Sequence, residues 1–193
     1  LAILPGSRAS EIAQIAPRFL TAARLLRASH PALQLVLPAL PALQAEVERH
    51  VAAAGLQGQV KVTAGQSHAV LAACDLTLIA SGTATLEAAL FKRPMVIGYH
   101  MNWLSWQIMR RKKLQPWVGL PNILCQDFVV PELLQDAATP QALAAAAEDW
   151  LDALDRDPDR LARLHTRFTA LHRDLQRDTA RLASDAIAQV LRA

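Results

Sequence analysis

The stretch Leu76-Thr77-Leu78-Ile79-Ala80-Ser81-Gly82-Thr83-Ala84-Thr85-Leu86-Glu87 decides the fold. Its first five residues make an almost continuous apolar run of strand length, and Ser81-Gly82 marks a turn before an alanine- and leucine-rich helix begins. A strand that leads through a glycine turn straight into a helix is half of a βαβ unit. Working outward, four more runs read the same way: Leu1–Leu4, Leu33–Leu37, Val60–Thr63 and Met95–Tyr99. Stretches of helical length lie between them, over Pro17–Ser29, Leu40–Ala54, Ser67–Ala73 and Thr83–Lys92. Pro17 is placed at the first turn of its helix, where a missing N–H costs nothing. Continuous rather than alternating apolar runs belong to parallel strands covered on both faces. With right-handed crossovers, the pattern predicts a doubly wound parallel α/β sheet.

Composition agrees with one well-filled domain. Of 193 residues, 52% are apolar and 19% charged, which excludes intrinsic disorder and supplies ample core. The formal charge of +3 fits an anionic ligand but is too weak to imply nucleic acid. The longest apolar region, Ala69 to Phe91, is broken by Asp75, Ser81, Gly82 and Glu87, so no membrane span is expected. Cys74 and Cys125 lack metal-ligand spacing and read as reduced, buried thiols, and neither a metal nor a cofactor is expected. The chain opens inside an apolar run, as the second half of a longer polypeptide would. Residues 1–138 read as the nucleotide-binding unit, and residues 139–193 as helices that pack on it or cross to a domain preceding it. Thr139-Pro140 and Asp157-Pro158 each pair an N-cap with a proline in the first turn. Leu161, Leu164, Phe168, Leu171, Leu175 and Leu182 form an apolar stripe on what reads as one last helix, whose exposed part would invite a homodimer. Pro116 to Pro131 reads as a loop.

Two short elements could carry chemistry. Gly6-Ser7-Arg8 follows the first strand, so its backbone N–H groups are free to hold a phosphate oxygen and Arg8 adds a bidentate donor. Ser81-Gly82-Thr83 follows the fourth strand and opens a helix, directing amides and hydroxyls to one point near the positive end of a helix dipole. Glu87, one helical turn beyond Thr83, is suited to ribose hydroxyls rather than to phosphate, which it would repel. Alone, the first is equally an ordinary tight turn and the second is better read as a plain N-cap; together, after two strands of one sheet, they favour a ligand. His68 and His100 each follow an inferred strand, but no catalytic constellation stands out. Trp103, Trp106 and Met109 beside Arg110, Arg111, Lys112 and Lys113 read either as a core-facing helix with a solvated basic end or as a contact with an anionic membrane surface.

LAILPGSRASEI, LIASGTATLEAAL, PMVIGYHMN and LPNIL, in that order and spacing, resemble the lipid-A-disaccharide synthase family over the whole chain. The resemblance implies the C-terminal, Rossmann-like domain of a GT-B glycosyltransferase. It implies transfer of 2,3-diacylglucosamine from UDP-diacylglucosamine to diacylglucosamine 1-phosphate, on the cytoplasmic side and peripheral to the inner membrane. It puts the diphosphate on Gly6, Ser7, Arg8, Ser81, Gly82 and Thr83, the ribose on Glu87, and Asn122 of LPN at the border of the same cleft. The general base is expected in the preceding domain, outside this sequence. From the residues alone, another GT-B UDP-sugar enzyme (a UDP-N-acetylglucosamine 2-epimerase or an N-acetylglucosaminyl transferase) and a non-catalytic nucleotide-binding module remain open.

Overall fold

The computed structural model describes residues 1–101, 106 and 115–192. Six parallel strands form one sheet in the order β3-β2-β1-β4-β5-β6. They are β1 (Ala2–Leu4), β2 (Leu35–Ala39), β3 (Val60–Ala64), β4 (Thr77–Ala80), β5 (Met95–Tyr99) and β6 (Glu132–Leu134). The helices are α1 (Ala9–Ser29), α2 (Gln44–Ala53), α3 (Ser67–Ala73), α4 (Thr83–Leu90), α5 (Leu120–Cys125), α6 (Pro140–Arg156), α7 (Pro158–Leu175) and α8 (Thr179–Arg192). The chain runs outward from β1 to β3, then returns to β4 and continues the other way. This is the doubly wound α/β arrangement, with its switch point between β1 and β4.

The central strands β1, β4 and β5 are buried almost throughout, which is why their sequences carry no polar alternation. At one edge, β3 buries only Val60, because an edge strand has one flank open to water; the expectation of a fully buried run there does not hold. The other edge, β6, is missing from the sequence reading altogether. Its three residues are only half-buried and fall just after a stretch read as loop, and that stretch also contains α5. Pro38 lies in β2 beyond its single bridge to β1, Ala2↔Val36, where no ladder partner claims an N–H.

Packing joins α1 to α2 and α6, and joins α4 to α3, α5 and α7. At one point helix and strand nearly touch. A Cβ on Gly98 of β5 would fall on the ring of Phe19 in α1 and within 3.1 Å of Leu143 in α6. Pro17 is not at a helix start, because α1 begins at Ala9. The helix accepts it because Ala13, whose carbonyl loses its N–H partner, lies on the exposed face and can bond water.

The last apolar stripe is divided between two helices. Leu164, Phe168 and Leu171 of α7 are buried in the common core, and Leu161 packs against it. The helix stops at Leu175, and Asp178 starts a new one by accepting the N–H of Arg181 at 3.0 Å. Leu175 and Leu182 are exposed, and no residue of α8 is buried. Trp103, Met109, Arg110, Arg111, Lys112 and Lys113 lie outside the described residues. Among the described residues no helix is long and apolar enough to cross a membrane.

Candidate nucleotide-binding site

The pairing of β1 with β4 brings the two predicted turns together. Ala2, Ile3 and Leu4 lie opposite Thr77, Leu78 and Ile79, so both strands end at the same level. Gly6-Ser7-Arg8 and Ser81-Gly82-Thr83 therefore emerge side by side at the switch point, each leading into a helix N-terminus. A cleft of about 470 Å³ opens there, at the carboxyl ends of the strands. Gly6, Ser7, Arg8, Ser81, Gly82, Thr83 and Glu87 all line it, and Glu11, Gly65, Ser67 and Tyr99 are also part of the wall. Ligands of open α/β sheets bind in this position. A larger hollow of about 950 Å³ lies between the start of α7 and the segment leading into β6, and it contains none of the predicted residues.

The turn after β1 depends on Gly6, whose φ of +108° is a conformation that side-chain-bearing residues rarely adopt. Glu11, three residues after the N-cap Arg8, folds back under the turn. Its Oε2 accepts the N–H of Ser7 at 3.2 Å, and its Oε1 accepts from Nη1 of Arg8 at 3.0 Å. The guanidinium itself stays in water, with 77% of the Arg8 side chain exposed. In the second turn, Thr85 satisfies the carbonyl of Gly82 through Oγ1 at 2.7 Å. Among the described residues the Ser81 hydroxyl makes only a long contact, donating to the carbonyl of Val118 at 3.4 Å. Among the described residues no side chain caps the N-terminus of α4; the Thr85 N–H is taken by the carbonyl of Gly82 at 3.1 Å, and Thr83 and Ala84 line the cleft ahead of it.

Glu87 has a neighbour that sequence reading did not find. His68 Nε2 lies 3.2 Å from Glu87 Oε2, which leaves the other carboxylate oxygen without a protein partner among the described residues. Only the crossover from β3 through α3 makes the pair, so no local spacing announces it. Glu11 did leave a signal, since a Glu three residues after a helix N-cap is the capping-box position. His100 takes a structural role, with Nδ1 3.1 Å from Oε1 of Gln14. Burial first, and the Arg18 charge second, push its pKa below the ordinary imidazole range.

Asn122 is not brought to the cleft. It is fully buried at the first turn of α5, where it donates to the carbonyl of Val130 and to Glu132 Oε1, each at 2.8 Å. Its Oδ1 accepts the N–H groups of Val129 at 2.9 Å and Val130 at 3.1 Å. Glu132 in turn accepts from Val118 and Gly119, so Asn122 and Glu132 together fix the chain before and after α5. Cys74 is buried as expected and its thiol is pushed up by desolvation, whereas Cys125, at the end of α5, is only partly covered. Among the described residues no cluster of His, Cys, Asp and Glu could hold a metal.

A doubly wound sheet with two glycine turns side by side at its switch point defines the class, a Rossmann-like α/β domain. Solved glycosyltransferases share this architecture. The chain superposes on one from Rickettsia africae with a TM-score of 0.59 at 11% identity, over 88% of this chain and 42% of that one. It superposes on a pneumococcal O-GlcNAc transferase, solved with UDP and GlcNAc, with a TM-score of 0.56 at 12% identity, over 88% and 32% of the two chains. Residues 1–187 match the family model described as lipid-A-disaccharide synthetase, and the chain belongs to that family. The lipid-A-disaccharide synthase of Albidiferax ferrireducens is 67% identical over 99% of this chain. The chain spans about half the length of the curated relatives it matches, 49% in that case.

Proposed function

We propose that this chain is the UDP-sugar-binding half of a glycosyltransferase of lipid A synthesis. The reaction transfers 2,3-diacylglucosamine from its UDP derivative to 2,3-diacylglucosamine 1-phosphate, giving the lipid A disaccharide 1-phosphate and UDP. The observation that carries this reading is the meeting of Gly6–Arg8 and Ser81–Thr83 in one cleft, within a chain of this family. Membership of the family separates it from the other UDP-sugar enzymes of the same fold, which the two turns alone leave open.

In this reading the diphosphate lies between the turns and the free oxygen of Glu87 accepts from the ribose hydroxyls. When the acceptor hydroxyl attacks the anomeric carbon, the sugar–phosphate bond breaks and negative charge grows on the departing UDP. Arg8 and the N-terminal amides of α4 are aimed where that charge appears, and preorganised donors there stabilise the transition state more than the ground state. The base that takes the acceptor proton is assigned to a domain outside this chain, since the cleft's own carboxylates are engaged by Arg8 and His68. Acylated substrates suit an enzyme that works at the cytoplasmic face of a membrane. Titration calorimetry of the chain with UDP, CDP and ADP tests the nucleotide assignment. A preference for UDP is expected, and equal affinity for all three overturns the uridine part.

A further inference from the structure

The two turns of the cleft are unequal in one respect. Among the described residues the amides at the start of α4 have no side-chain acceptor, whereas the Ser7 N–H and the Arg8 Nη1 of the first turn are already held by a carboxylate. Glu11 takes the Ser7 N–H with one oxygen and the Arg8 guanidinium with the other, at 3.2 and 3.0 Å. Its fit under the turn is tight, since a Cβ on Gly6 would lie 2.6 Å from Oε2. Glu11 also lines the cleft, and its side chain is 22% exposed.

We propose that Glu11 is an internal anion that competes with a ligand phosphate for the Gly6–Arg8 turn, so that a diphosphate engages this turn only by displacing it. This rests on the nucleotide reading above. A first phosphate binds the open turn at α4 without disturbing anything. A second phosphate joined to it is presented to the Gly6–Arg8 turn at high effective concentration, and so can displace the carboxylate. A monophosphate settles at the open turn and gains nothing from Arg8. Free inorganic phosphate has no such advantage in displacing Glu11 either.

Glu11→Gln is the discriminating variant, because Gln keeps the acceptor for the Ser7 N–H and removes only the charge. Calorimetry with UDP, UMP and inorganic pyrophosphate should show UDP and pyrophosphate binding roughly tenfold more tightly than to the parent, with little gain for UMP. The gain should shrink at high salt. It should also largely vanish in an Arg8→Ala background, where the donor that Glu11 withholds is gone. Unchanged UDP and pyrophosphate affinity, with UDP still bound, leaves Glu11 a helix cap and overturns the competition alone. Weaker binding of both means that Glu11 presents Arg8 rather than withholding it, and also overturns it. No binding of UDP by parent or variant overturns the nucleotide reading, and this inference with it.

Discussion

A guanidinium at the mouth of a cleft contributes most when its partner offers two anionic oxygens, because its fork of N–H groups can engage both at once. Arg8→Ala should therefore weaken UDP binding by about 1.5–3 kcal/mol and leave uridine nearly unaffected. Arg8→Lys should recover only part of the loss, since an ammonium cannot reproduce the fork; equal losses for UDP and uridine would place Arg8 away from the phosphates. Asn122 belongs to the opposite extreme of burial. Truncating it to Ala leaves partners on Val129, Val130 and Glu132 unsatisfied and should cost about 2–3 kcal/mol in denaturant unfolding. Asn122→Asp should cost more, because it sets a carboxylate where Glu132 now receives a donor. His100 gives the chain an acid sensitivity. Its folded pKa lies below the ordinary 6.5, so the unfolded state takes up the proton first and stability falls as the pH drops through that value. His100→Gln, titrated by thermal melting from pH 7 downward, should flatten that part of the profile.

Among the elements, the Phe19 ring of α1 lies directly against the backbone of β5, because position 98 has no side chain. Gly98→Ala should destabilise the fold by about 1–3 kcal/mol through overpacking, and pairing it with Phe19→Leu should restore part of the loss by making room. Recovery absent from the double variant would mean that the added methyl strains the strand itself. The caps of the C-terminal helices are equally specific. Thr139 Oγ1 accepts from Ala142 N at 3.1 Å and Asp157 Oδ1 from Arg160 N at 2.9 Å. Replacing either by Ala should cost about 1 kcal/mol, measured by chemical denaturation. Both caps were legible because a cap is a local event, a polar side chain bonding an amide three residues on. The same rule applied at Asp178, yet the apolar spacing carried on across it and hid the break between α7 and α8. A stripe of leucines reports what could be buried, and the neighbouring elements determine how far burial goes.

At the scale of the molecule, one core extends from Leu1 to Leu171 and α8 adds no buried side chain to it. Removing residues 179–193 should leave the unfolding midpoint unchanged. Removing residues 158–193 should collapse it, because Leu164, Phe168 and Leu171 go with them. A large loss from the shorter truncation would show that α8 has a partner in solution.

The order of the first five strands and of the helices between them, the two turns and Glu87 could be read from the sequence by itself, because apolar runs, glycine turns and helix starts are set by neighbours a few residues apart. Tertiary structure alone decided the rest. The pairing of β1 with β4 laid two turns some 75 positions apart in sequence against one another, and strand pairing of that range leaves no local trace. The same assembly joined His68 to Glu87 and made edges of β3 and β6. It also took Asn122 out of the cleft, because a side chain that makes four hydrogen bonds at once is held where its partners meet, and no motif shows where that is.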